Sequence, residues 1–216
     1  CRDFIYNTYI PSLYKGNSLS EAEKNTIAEK LSYFTGLEKN YILQSDLRIL
    51  MGRFQKQLLS DKGLAIGRLD GRFMGDEADK LSENPHLGDA ASYQISAAYT
   101  ASLNHYFASE LKIKMDRPYI TSGGGSNWRW RTVPDGKYWE PMPVNTAPDL
   151  GETMRRNTAM KIMVASGYYD LITPFFDAEY TFDRNGIVKE RVDMKYTHEP
   201  DLIKLSKDIR EFIASE

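Results

Sequence analysis

Cysteine is almost absent from this chain: one residue, Cys1, among 216. A single thiol excludes an internal disulfide framework and a cysteine-based metal cluster, while leaving Cys1 able to pair outside this sequence. Long apolar runs are missing as well. The longest fall well short of the roughly 18 residues that a spanning helix needs, so neither a transmembrane segment nor a membrane partner is expected. No sign of charge dominates, with 28 Lys and Arg against 30 Asp and Glu for a net charge of −2. That balance supplies no electrostatic reason to expect nucleic acid or an anionic membrane surface as partner. None of the asparagines opens an Asn-x-Ser/Thr sequon, which removes one sign of eukaryotic secretion. There is no signal-peptide pattern and the first residue is Cys1 rather than Met. A processed or cut start is therefore expected, with any targeting segment outside the sequence.

What remains is ordinary for a globular protein: 41% hydrophobic and 27% charged residues, in a length suited to one large domain or two small ones. The stretch that organises the chain is Lys161–Asp170, KIMVASGYYD. Its apolar run centres on Ile162–Ala165, does not alternate, and stops at Ser166-Gly167. Such a run predicts a strand buried on both faces, as in parallel sheets. Asp170 then falls just past the carboxyl end of that strand, where open α/β sheets place their chemistry. Thr173-Pro174 starts a helical stretch through Tyr180, Asn185-Gly186 is a turn, and Val188–Tyr196 predicts a second strand. Pro200 opens a last amphipathic helix with Leu202, Leu205, Ile209 and Phe212 at spacings of three and four.

Upstream, residues 1–63 predict helices. Ser20 with Glu23 makes a capping box for a helix carrying Ile27, Leu31 and Phe34 and closed by Gly36. A further helix holds Phe54, Leu58 and Leu59 before Gly63. Glycines at 63, 67, 71 and 75 then recur every fourth residue, too many for a helix at about 1 kcal/mol each relative to Ala. A shaped loop is expected, with Arg68, Asp70 and Arg72 as structural ion-pair formers. Residues 76–88 are polar and predict a flexible segment. Asp89 caps a long helix carrying Ile95, Tyr99, Leu103, Tyr106, Phe107 and Leu111 on one side. His105 lies beside that face and reads as a packed or half-exposed side chain rather than a base. Residues 117–148 are irregular and hold all three tryptophans, Trp128, Trp130 and Trp139. Interleaved with Arg129 and Arg131 they suit a stacking surface, but a loop whose aromatics cover a neighbouring domain is the preferred reading. Asp149 caps a short helix through Arg156.

SGYYDLITPFFDAEYTFD, the YTHEP after the last strand, GRLDGRF at 67–73 and the helical stretch from Tyr9 to Gly63 resemble the bacterial branch of the serine carboxypeptidase family. The resemblance covers nearly the whole chain but only the later part of a family member. It implies an α/β fold, namely the C-terminal part of an α/β-hydrolase at 149–216, with a mainly helical cap at 1–148. It also implies hydrolysis of the last peptide bond of a peptide substrate through an acyl-enzyme, without cofactor or metal, in a periplasmic or secreted setting. Asp170 would be the triad acid, which orients the catalytic histidine and stabilises its imidazolium form.

Other parts of that machinery have no match here. The hydrolase nucleophile sits on a G-x-S-x-G elbow, and the nearest approach, Gly124-Gly-Ser126-Asn-Trp128, lacks the final glycine and a following helix. The serine would come from the upstream half of the same enzyme, a partner of this chain. The family's Gly-His-Met segment falls between the last strand and Tyr-x-His-x-Pro; here Lys195-Tyr196 runs straight into Thr197-His198-Glu199-Pro200. By position, 28 residues beyond Asp170, His198 is a candidate base. By residue match it corresponds to a later histidine beside the helix N-terminus that is not the base. Val188–Tyr196 and Thr197–Glu216 each resemble the family. About eight residues with the catalytic histidine are therefore expected to be present in the protein but missing from the sequence within Lys195–His198, as active-site loops are mobile. The alternatives are a catalytically inactive binding module, with the Trp-Arg-Trp loop as its surface, and an esterase or acyltransferase of the same fold.

Overall fold

The computed structural model describes residues 1–117, 119–121, 131–133, 135–139, 141–197 and 202–215. It is a mixed helix-and-strand chain with small sheets, one of them a parallel pair. Two compact units divide it, Cys1–Ile95 and Ser96–Glu216; the boundary expected at 148/149 lies inside the second.

In the first unit, α1 (Arg2–Phe4) passes through a π-helical turn, Ile5–Tyr9, into α2 (Ile10–Lys15). Pro11 lacks the N–H that an α-helix interior needs. The wider turn just before it, closed by Ile10 N–H on the Ile5 carbonyl, lets the chain stay helical across the proline. α3 (Glu21–Thr35) begins with the expected capping box. The Ser20 N–H donates to Glu23 Oε2 at 2.8 Å and the Glu23 N–H to Ser20 Oγ at 3.3 Å. The helix ends at Gly36, whose φ of 78° is left-handed and suits glycine at a C-cap. α4 (Lys39–Gln44) and α5 (Met51–Gln57) follow. Phe4, Leu19, Ile27, Ala28, Leu31, Leu37, Ile42 and Leu47 form the core, each large side chain contributing about 1.5–3 kcal/mol on burial. Ile27 and Leu31 of the predicted helical stripe lie in this core, while its third member, Phe34, is exposed.

The glycine-rich stretch is the connection of a β-hairpin, β1 (Leu64–Ile66) against antiparallel β2 (Met74–Asp76). Three-residue strands are too short for a period of two to show in the sequence. Arg72 Nε lies 3.0 Å from Asp70 Oδ1. That guanidinium, followed by burial working against it, leaves the Asp70 carboxyl below its usual range. The ion-pair role expected of Arg72 is thus present. A Cβ at Gly67 would lie 2.5 Å from the Asp70 carbonyl oxygen and 3.0 Å from the Ala91 nitrogen, so only glycine fits there.

The polar segment after β2 is pinned where flexibility was expected. Glu77, 3% exposed, pairs with Lys56, 6% exposed, and accepts the His86 N–H at 3.0 and 3.1 Å. Arg53 pairs with Glu83. Asp89 caps α6 (Ala90–Ser109), taking the Ser92 N–H at 3.0 Å and the Arg68 N–H at 2.6 Å. Along α6, Ile95, Leu103 and Phe107 are half-buried, but Tyr99 and Tyr106 are exposed. Periodicity shows which residues share a helix face, not whether anything covers it.

The second unit contains the minimal antiparallel pair β3 (Arg131–Thr132) and β4 (Met142–Pro143). α7 (Ala147–Arg156) starts two residues before the expected cap. Pro148 sits in its first turn, where proline is favoured, and Asn145 Oδ1 takes the Ala147 N–H at 3.1 Å. Asp149 lies in that first turn rather than at the cap. Then come β5 (Ile162–Gly167), α8 (Phe175–Phe182), a 3-10 turn at Lys189–Arg191, β6 (Val192–Thr197) and α9 (Leu202–Ala214). Asn185 and Gly186 have φ of 61° and 69°, making the expected turn. β5 and β6 are parallel in the register Ile162↔Val192 to Gly167↔Thr197. β6 begins four residues later than predicted because Arg191 turns aside to the end of α7. Its guanidinium donates to the carbonyls of Met154 (2.6 Å), Asn157 (2.8 Å), Thr158 (3.0 Å) and Met160 (3.1 Å). These include carbonyls that the end of α7 leaves without helical donors.

One expectation about β5 fails. Ile162, Met163 and Val164 are half-buried and Ala165 is exposed, so this strand is not enclosed on both faces. An apolar run records what a strand can bury. Among the described residues β5 has one neighbouring strand, β6.

Candidate active site at the carboxyl edge of the parallel pair

β5 and β6 end side by side at Gly167 and Thr197, and the Tyr168 N–H extends the ladder to the Thr197 carbonyl at 3.0 Å. The chain then bends. Gly167, at the strand end, has Asp170 Cβ as the nearest neighbour of a notional Cβ, at 3.7 Å. Asp170, half-buried, lies three residues beyond the strand. Its Oδ1 accepts the N–H groups of Ile172 and Thr173, both at 2.9 Å, and its Oδ2 accepts the Thr173 hydroxyl. Such a turn is what Asp side chains do locally, and it delivers the chain to Pro174, the N-cap residue of α8.

Around this loop is an aromatic cluster that sequence reasoning missed. The Tyr168 and Tyr196 rings stack at 5.7 Å and 24°. Phe175, at the start of α8, stands edge-on to both, at 5.5 and 5.8 Å. Glu179, one turn further along α8, accepts a hydrogen bond from the Tyr196 hydroxyl. The available signal was the spacing of four between Phe175 and Glu179, which puts both on one helix face. Nothing in the sequence alone placed Tyr196 opposite them.

The other predicted residues are scattered or out of view. His198 lies outside the described residues, as do Glu199, Pro200, Ser126, Trp128, Arg129 and Trp130. Of the join, Lys195, Tyr196 and Thr197 pair consecutively with Ala165, Ser166 and Gly167; the link to His198 is not described. Tyr138 and Trp139 pack edge-on against each other at 5.5 Å and are both exposed. His105 is exposed, with Nδ1 3.3 Å from Ser109 Oγ. The 67–73 loop belongs to the first unit.

Among the described residues, no group of three His, Cys, Asp or Glu side chains is placed to hold a metal ion, and no helix is long and apolar enough to cross a membrane. A cavity of about 430 Å³ opens in the first unit between the π turn and α3, lined by Asn7, Thr8, Ser12, Lys15 and Glu23 among others. Ser12 is bonded to the Thr8 carbonyl at 2.6 Å and Lys15 to Glu23 at 3.1 Å, so these polar groups already have partners. The class that fold and site define is thus a mixed helix-and-strand protein with an acid loop at the carboxyl edge of a parallel pair. No family model, curated protein or solved structure matches this chain.

Proposed function

We propose that this chain is the downstream portion of a serine-type carboxypeptidase of the α/β-hydrolase fold, with Asp170 as the triad acid and the helical residues upstream of 149 as a cap. The observation that carries this reading is the order strand, acid loop, helix, parallel strand, with Asp170 just past the carboxyl end of β5. Open α/β sheets bind and react at that edge.

The chemistry asked of Asp170 suits its surroundings. A carboxylate offers about four lone-pair sites, and three donors from Ile172 and Thr173 fix its orientation. Among the described residues no fourth donor is bonded to it, and one site on Oδ2 would serve an imidazole N–H. A carboxylate held in this way would keep the catalytic imidazole in the tautomer that accepts the serine proton, and stabilise the imidazolium that forms. The serine, the oxyanion hole and the groups for the substrate's terminal carboxylate would come from the upstream half. The half-exposed apolar strand β5 supports a missing neighbour, because parallel sheets are ordinarily covered on both faces.

A second reading, a non-catalytic binding module, is favoured by one observation: Asp170 already has a structural task in its own turn. Co-expression with an upstream half carrying G-x-S-x-G separates the two. The enzyme reading expects release of the terminal amino acid from a blocked dipeptide. In that assembly Asp170→Asn should lower kcat by a factor on the order of 10⁴. A near-normal kcat in the Asp170→Asn variant overturns the assignment.

A further inference from the structure

We infer that Glu179, acting through the Tyr196 hydroxyl, is a positioning residue that holds the Asp170 loop against the end of β6. The inference rests on the carboxypeptidase reading for what that loop does, while the coupling itself rests on geometry.

The path is contiguous. Glu179 projects from α8 and accepts the hydrogen bond that the Tyr196 hydroxyl donates, one residue before β6 ends. The Tyr196 ring stacks on Tyr168, and Tyr168 is bonded through its N–H to the Thr197 carbonyl. Two residues beyond Tyr168 is Asp170, whose N–H reaches back to the Gly167 carbonyl at 3.4 Å. Phe175 closes the group by standing edge-on to both tyrosine rings from the same face of α8 that carries Glu179. Stacked rings tolerate sliding; a directional hydrogen bond to a carboxylate is shorter, stronger and fixes register. The bond from α8 to β6 therefore sets where the rings meet, and the rings set where the acid loop begins.

Amide hydrogen exchange on the whole 216-residue chain tests the coupling without needing turnover. Tyr196→Phe keeps the ring and loses the hydroxyl, and Glu179→Ala loses the acceptor. In each variant the amides of 168–173 should exchange about ten- to a hundredfold faster, the scale of one lost hydrogen bond to a charged group. Glu179→Gln, which can still accept the phenol proton, should restore part of the protection. The double variant Glu179→Ala/Tyr196→Phe should be no faster than either single change, as expected when both remove one interaction. Unchanged protection of 168–173 in Tyr196→Phe overturns the inference. So does a uniform loss across the second unit together with a lower urea midpoint, which would mark plain destabilisation. If the exchange pattern holds but the co-expressed assembly has no peptidase activity, the coupling stands and the carboxypeptidase reading falls.

Discussion

Glu77 shows how one buried charge organises what its neighbours alone would leave loose. The carboxylate is enclosed with the Lys56 ammonium, and its oxygens hold the His86 N–H across nine residues of polar chain. Lys56 also donates to the Asp79 carbonyl. Taking two charges out of water is costly, so such a pair is a weak source of net stability, yet removing one partner strands the other. Glu77→Gln should therefore destabilise the chain by about 3–5 kcal/mol in urea denaturation. Adding Lys56→Met to that variant should recover part of the loss, because no bare ammonium is then buried and the Gln oxygen can still take the His86 N–H. A single-variant cost under about 1 kcal/mol, the range of exposed pairs, would contradict this account.

At the scale of the element, two helix ends carry testable chemistry. In α3 the Ser20 N–H, the Ser20 hydroxyl and then Lys15 lower the Glu23 carboxyl to about 2. A depressed carboxyl contributes stability that is fully present above its unfolded value, about 4.3, and is lost as pH falls toward about 2. The capping box accepts Gln in place of Glu. Glu23→Gln should thus flatten the fall of stability between about pH 4.3 and 2 while leaving α3 intact, as read from urea midpoints across that range. An identical pH slope in both proteins would refute the linkage. In α7 the end depends on Arg191, whose planar fork serves four carbonyls at once. Arg191→Ala should cost about 2–4 kcal/mol, since part-buried carbonyls lose their donors. Arg191→Lys should recover less than half of that, because an ammonium is a point charge without the fork geometry.

For the whole molecule, the join after β6 is the decisive stretch. β6 is paired in unbroken register through Thr197, so the strand runs on across Tyr196 and Thr197, between which the missing segment was expected. Trypsin cleaves after lysine, and Lys195 and Lys204 bracket residues 196–204, YTHEPDLIK. Under the carboxypeptidase reading, the natural protein should give a peptide from this region heavier than that sequence by the mass of about eight residues, the size of the active-site loop expected to be missing. Finding YTHEPDLIK itself would mean the loop is truly deleted. His198 would then be the local candidate for the base, and the binding-module reading would gain.

The sequence by itself determined the features in which a few neighbouring residues decide the outcome. The capping box at Ser20 and Glu23, the left-handed Gly36, the Asn185-Gly186 turn and the acid three residues past an apolar run are local chemistry, and each is found in place. Tertiary structure decided whatever depends on residues far apart. The three-residue strands of the hairpin exist because 64–66 and 74–76 meet, too short to announce themselves alone. The polar segment 77–88 is pinned by lysine and arginine partners on α5, some 20 to 30 residues earlier. Arg191 delays the start of β6 because the end of α7, more than 30 residues upstream, offers it carbonyls. The half-exposure of β5 teaches the same lesson in reverse. An apolar run states what a strand is able to bury, and only the packing around it settles how much is buried.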